Sequence, residues 1–147
     1  MSTTTTRLAD QSRTISAGRL APRVAGAVLA LAVAAIHVVD QGGFPGAKVP
    51  TYVGIGYYLL EATGVVVALV LLFGGARTAA RGWALAIGVA LGPIIGFVLS
   101  RGPGMPSYTD DRGNWTEPIG VLSLVVEGLL LLLATVLVSR PVRPASA

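Results

Sequence analysis

The chain has 147 residues, of which 53% are hydrophobic and 12% charged, where an ordinary soluble domain carries about 25% charged residues. It contains no cysteine, which excludes disulfides, thiolate metal sites and CxxC redox chemistry. The net charge is +4, but the arginines flank apolar runs, so they read as membrane-topology signals and not as a nucleic-acid footprint.

In chain order, residues 1–20, "MSTTTTRLADQSRTISAGRL", read as a mobile, Ser/Thr/Arg-rich tail. A first apolar run extends from about Pro22 to Gln41. A cleaved signal peptide with "VAGAVLALAVA" as its apolar core is the weaker reading, because the run continues past that stretch to Val39. An organellar transit peptide is weaker still. The outer loop "DQGGFPGAKVPT" leads to a second run, Tyr52–Phe73. A tight connection, "GGARTAARG", leads to a third, Trp83–Ser100, and "RGPGMPSYTDDRGNWTE" to a fourth, Pro118–Ser139. Each run matches the roughly 20 residues that a helix needs to cross about 30 Å of hydrocarbon. The expectation is an all-α, four-transmembrane-helix bundle over residues 21–140, with a short tail at 141–147.

Arginine and lysine set its direction. Arg7, Arg13, Arg19, Arg23, Arg77, Arg81, Arg140 and Arg143 fall on one side, against Lys48, Arg101 and Arg112 on the other. The excess predicts that both termini are cytoplasmic, in a bacterial cytoplasmic membrane. Tyr52 and Trp115 then mark the outer interface and Trp83 the inner one.

Helical spacing of three and four residues groups the small and polar residues. Gly26, Ala30, Ala34 and His37 align on the first span, and Gly54, Tyr57, Tyr58, Glu61, Gly64 and Ala68 on the second. On the fourth, Gly120, Ser123, Glu127 and Ala134 align. Small residues mark helix contacts and ionisable groups turn away from lipid, so Glu61 and Glu127 should face each other in the bundle. Both lie nine residues from the predicted start of their helix, roughly 14 Å deep. A close acid pair would share a proton; a hydrogen-bonded latch without function is the competing reading. His37, counted from Gln41, lies only roughly 6 Å deep, with Asp40 above it. That separation of roughly 8 Å argues against one metal ion touching His37, Glu61 and Glu127. Gly88, Gly92 and Gly96 form a GxxxGxxxG series expected to pack against a neighbouring helix. Pro93, inside the same span, predicts a kink.

Other chemistry is poorly supported. His37 is the single histidine, and haem would need a second ligand. Asp110 and Asp111 lack the alternating spacing of a calcium loop. No GxSxG, HExxH or Walker loop is present, so an enzyme is the weaker reading and stays open. Arg101 either pairs with Glu117, Asp110 or Asp40 at the mouth of the bundle, attracts an anionic headgroup, or snorkels to the interface.

Two longer stretches carry a resemblance. "LSRGPGMPS", Leu99 to Ser107, resembles an LSR-x-x-GLP segment that ends a third helix. "NWTEPIGVLSLVVEG", Asn114 to Gly128, resembles a W-x-EPLG-x-x-SL-x-x-E segment that opens a fourth. With "IHVVD" ending the first span, the chain is similar to a group of small four-helix bacterial membrane proteins. The matching positions are His37, Ser100, Arg101, Gly104, Pro106, Trp115, Glu117, Pro118, Gly120, Ser123 and Glu127. Met105 and Ser107 depart from the Leu-Pro-Gly ending. The resemblance implies the fold and an outer-half site, and no activity.

The sequence thus points to an integral membrane protein with an outward-opening polar pocket, acting as a ligand-binding or accessory subunit. The candidate ligand- or proton-binding residues are His37, Asp40, Tyr57, Tyr58, Glu61, Arg101, Trp115, Glu117, Ser123 and Glu127. The alternative is a proton-coupled small-molecule or ion transporter using Glu61 and Glu127. The expected partners are the lipid bilayer and a membrane-protein partner or second copy, with no nucleic acid; any cofactor stays open.

Overall fold

Glycine and proline cluster in the connections between the helices. The computed structural model describes the backbone of residues 3–139 and the side chains from Leu20 to Ser139. Four helices follow in order: α1, Thr3–Asp40; α2, Thr51–Phe73; α3, Ala76–Arg101; and α4, Pro118–Val138. All four contain a stretch long and apolar enough to cross a membrane, that of α1 being Leu20–Asp40. The chain is a small multi-pass membrane protein. The segment expected as a tail at 1–20 is helical from Thr3 as part of α1, with its side chains before Leu20 outside the described residues, as is the tail at 141–147.

Gly74 and Gly75 cap α2 and α3 back to back. The connection is therefore only two residues long, and Arg77 and Arg81 lie within the first turns of α3, not in a loop. Pro118 occupies the first turn of α4, where its missing N–H costs nothing. α3 stays helical through Pro93.

The helices form a ring. Each packs on its neighbours in chain order, and α4 closes back on α1. α1 and α3 approach across one diagonal; α2 and α4 stand at opposite corners, with no close backbone approach among the described residues. Small residues make the α1–α2 contact close. A Cβ on Gly64 would lie 2.9 Å from the Ala30 carbonyl oxygen and 3.3 Å from the Ala34 Cβ. Gly26 lies under the Trp83 ring. Trp83 is therefore a core residue, 7% exposed, and not part of an interfacial belt.

Only one half of the ring is filled. Ala27, Ala30, Val33, Val67, Leu71, Ala86, Leu130 and Ala134 form a closed apolar core with Trp83. This half is clamped at its end by Arg23, which donates from Nε to the Leu71 carbonyl and from its terminal nitrogen to the Gly74 carbonyl. Both acceptors belong to the end of α2, whose last carbonyls lack helical partners.

At the opposite end α1 stops short. Gly42 and Gly43 adopt φ of +92° and +106°, which glycine alone takes without strain, and turn the chain back. The 41–50 segment then lies along α2. Tyr58 donates to the Gly46 carbonyl at 2.6 Å, and a Cβ on Gly54 would meet the Lys48 carbonyl oxygen at 3.2 Å. The end of α1 is thus level with the second and third turns of α2, not with its start.

Candidate functional site

The unfilled half holds a cavity of about 600 Å³. One wall is helix backbone. Gly88, Gly92 and Gly96 line it, and a Cβ added at any of them would meet nothing within 4 Å. The GxxxGxxxG series therefore does not pack on another helix of this chain; it clears space. Leu59, Leu60 and Thr63 of α2 and Ala84 and Leu85 of α3 continue the apolar lining. Leu59, Ala84, Leu85, Gly88 and Gly92 are exposed on apolar helices, so the cavity opens sideways between α2 and α3.

The polar groups gather towards the Arg101 end. His37, Asp40, Tyr57, Arg101, Glu117, Ser123 and Glu127, all expected from the sequence, line the cavity. Glu127 is 1% exposed and accepts a hydrogen bond from the Ser123 hydroxyl. His37 is 7% exposed, and its Nδ1 lies 2.9 Å from the Val33 carbonyl oxygen. A carbonyl only accepts, so Nδ1 carries the proton and Nε2 of the neutral ring is an acceptor. Nε2 lies 4.0 Å from Glu127 Oε1, beyond hydrogen-bond reach. The depth difference expected between His37 and Glu127 is not found. It assumed that all outer helix ends lie level, and α1 ends deeper.

Beside His37, the Tyr57 ring sits edge-on at 5.0 Å and its hydroxyl donates to Asp40. Lys48 pairs with Asp40 at 3.1 Å and lies 5.4 Å from the centre of the Tyr57 ring.

Three expected residues lie elsewhere. Tyr58 leans on the 41–50 segment through Gly46 and is outside the cavity lining. Trp115 is exposed, edge-on to Phe97 at 6.0 Å. Glu61 is buried, but Gln41 Nε2 donates to it at 2.8 Å, and it does not line the cavity. Among the described residues no hydrogen bond or ion pair joins Glu61 to Glu127. They stand on helices at opposite corners of the ring, so the facing pair and its shared proton are replaced by Gln41–Glu61 and by Ser123–Glu127 beside His37. The other amide atom of Gln41, Oε1, is buried without a partner.

Arg101 closes the mouth. It is 9% exposed, which excludes snorkelling. One terminal nitrogen donates to Glu117; the other donates to Ser100 Oγ at 3.0 Å and lies 3.6 Å from Asp111. Nε donates to the Asn114 carbonyl at 3.3 Å, and the guanidinium stacks over Phe97 at 4.1 Å. Its partners are Glu117 and Asp111, not Asp110 or Asp40. Tyr108 donates to Asp111 at 2.8 Å; burial, then that bond, raise its pKa above the usual tyrosine value. Tyr52 ties α2 across the mouth by donating to the Pro106 carbonyl at 2.8 Å.

Sequence reasoning missed Tyr52, Ser100 and Tyr108 as lining residues. Ser100, beside Arg101 at a helix end, carried the clearest signal. Among the described residues no three His, Asp or Glu side chains gather in a metal-holding group. No protein-family model, curated protein or solved structure matches the chain.

Proposed function

We propose that this protein binds a membrane-resident amphiphile, entered sideways between α2 and α3, as a receptor or accessory subunit of a membrane complex. The observation that carries this reading is the half-hollow bundle. A side-chain-free glycine wall leads from a lipid-facing opening to a buried polar end at His37 and Glu127. Pockets of a few hundred cubic ångströms with apolar walls and a few convergent polar groups are the usual form of small-molecule sites. Arg23, Arg77 and Arg81 gather at the filled end and support a cytoplasmic position for it and for both termini. The polar end then lies in the outer half of a bacterial cytoplasmic membrane.

Binding is favoured over proton-coupled transport by what lies beyond the cavity. Val33, Val67, Leu71 and Leu130 are fully buried there and offer no polar path. The test is extraction in native lipid followed by mass spectrometry. An amphiphile should co-purify with the wild type near one per chain and be lost from a Gly88→Leu/Gly92→Leu variant. Equal retention by both refutes pocket binding. Proton flux in proteoliposomes that disappears with Glu127→Gln would favour the transporter instead.

A further inference from the structure

We propose that the pocket selects an uncharged, hydrogen-bond-donating head on one apolar chain, a terminal hydroxyl, over an anionic phospholipid. This rests on the amphiphile-binding reading and names the class of ligand.

Charge comes first. The charged side chains at the polar end are Asp40, Glu117, Glu127 and Arg101. Arg101 is already engaged by Glu117, Asp111, Ser100 and Asn114. Lys48, next to the cavity, is held by Asp40. A phosphate entering here would give up water and meet carboxylates, with both nearby cations committed elsewhere.

Hydrogen-bond polarity comes second. His37 is more than nine-tenths buried and lines the cavity, and its Nδ1 proton is spent on Val33. Nε2 therefore presents a lone pair without a donor in reach, and across 4.0 Å stands Glu127 Oε1, also an acceptor from Ser123. A hydroxyl carries one proton and can donate to only one of the two; Nε2, which has no donor, is the acceptor it completes at about 2.8 Å. A phosphate diester supplies no such donor.

Size comes third. At about 30 Å³ for each water-sized group, a cavity of about 600 Å³ takes roughly 20 such groups. That accommodates one chain with a small head inside the bundle. A prenyl alcohol and a short-chain quinol share this chemistry.

The experiment measures binding of three probes to the delipidated full chain in detergent: farnesol, decylubiquinol and dodecyl methyl phosphate, a single-chain anionic phosphodiester with no hydroxyl. The tighter of the two hydroxyl probes should bind at least tenfold more tightly than the anionic one, and which of them it is separates an alcohol from a quinol. His37→Phe should weaken the hydroxyl probes at least tenfold and leave the anionic probe unchanged, while His37→Gln, which keeps an acceptor, should restore part of the loss. Gly92→Leu, whose side chain enters open space, should block every probe and still fold. Anionic binding as tight as hydroxyl binding overturns the selectivity and leaves amphiphile binding standing. Hydroxyl binding indifferent to His37→Phe also overturns it, because ordered water then fills the gap. No binding by any probe overturns both readings.

Discussion

Two glycines of identical chemistry should respond in opposite ways to the same substitution. At Gly64 a new Cβ meets the Ala30 carbonyl oxygen at 2.9 Å, and backbone cannot rotate aside. α1 and α2 must separate, an overpacking that costs about 1–3 kcal/mol. At Gly92 a new Cβ meets nothing within 4 Å. There the substitution removes a flexible residue from a helix interior and gains up to about 1 kcal/mol. Gly64→Ala and Gly92→Ala should therefore differ by roughly 1–4 kcal/mol. Reversible unfolding in mixed micelles, followed by circular dichroism against denaturing detergent, measures that difference. A Gly92→Ala variant destabilised as much as Gly64→Ala would show that α3's glycines bear a tight contact, and the hollow half would be refuted.

The acids give a second prediction. Because Glu61 and Glu127 have separate partners, the stability effects of Glu61→Gln and Glu127→Gln should add within about 0.5 kcal/mol in a double-mutant cycle; a larger coupling would restore the paired-acid geometry. Arg101→Ala leaves the partly exposed Glu117 and Asp111 without their cation and should cost about 1–3 kcal/mol, read by the same unfolding assay, with Arg101→Lys recovering only part of it because one ammonium cannot reproduce the fork of contacts. Gln41→Ala removes the single recorded donor to buried Glu61 and should cost about 1–3 kcal/mol, leaving the affinity of the pocket for its ligand unchanged. Arg23→Met should lower stability by about 1–3 kcal/mol through the uncapped end of α2.

The spans were legible because twenty-residue apolar runs bounded by Gly and Pro have few other uses. α2 and α4 agree with the predicted bounds to within a residue at each end, whereas α3 begins seven residues early. A two-glycine connection suffices there, and arginine's long stem lets it sit on an inner helical turn. Which residues turn inward was also legible: Ala30, Ala34, His37, Gly64, Ser123 and Glu127 are all buried. Which inward residues meet was not. A helical wheel gives the face of one helix and says nothing of which corner of the ring lies opposite, so Glu61 was matched to Glu127 when its partner is Gln41. Depth failed for a related reason. Counting turns from helix ends assumes level ends, and the fold-back at Gly42–Gly43 lowers that of α1. The glycine strip is ambiguous in sequence, because small residues every four positions admit a neighbouring backbone or leave room for something else, with the same spelling.

Arg23 has a consequence for motion. By gripping the last carbonyls of α2 from α1, it makes the packed end of the bundle a fixed root. The lateral opening between α2 and α3 then lies in a bundle held at both ends, because Tyr57–Asp40 and Gln41–Glu61 also tie α2 to α1. Among the described residues one side-chain hydrogen bond, from Tyr52 to the Pro106 carbonyl, joins α2 to the segment that follows α3, so the strap between the two walls of that opening is one phenol.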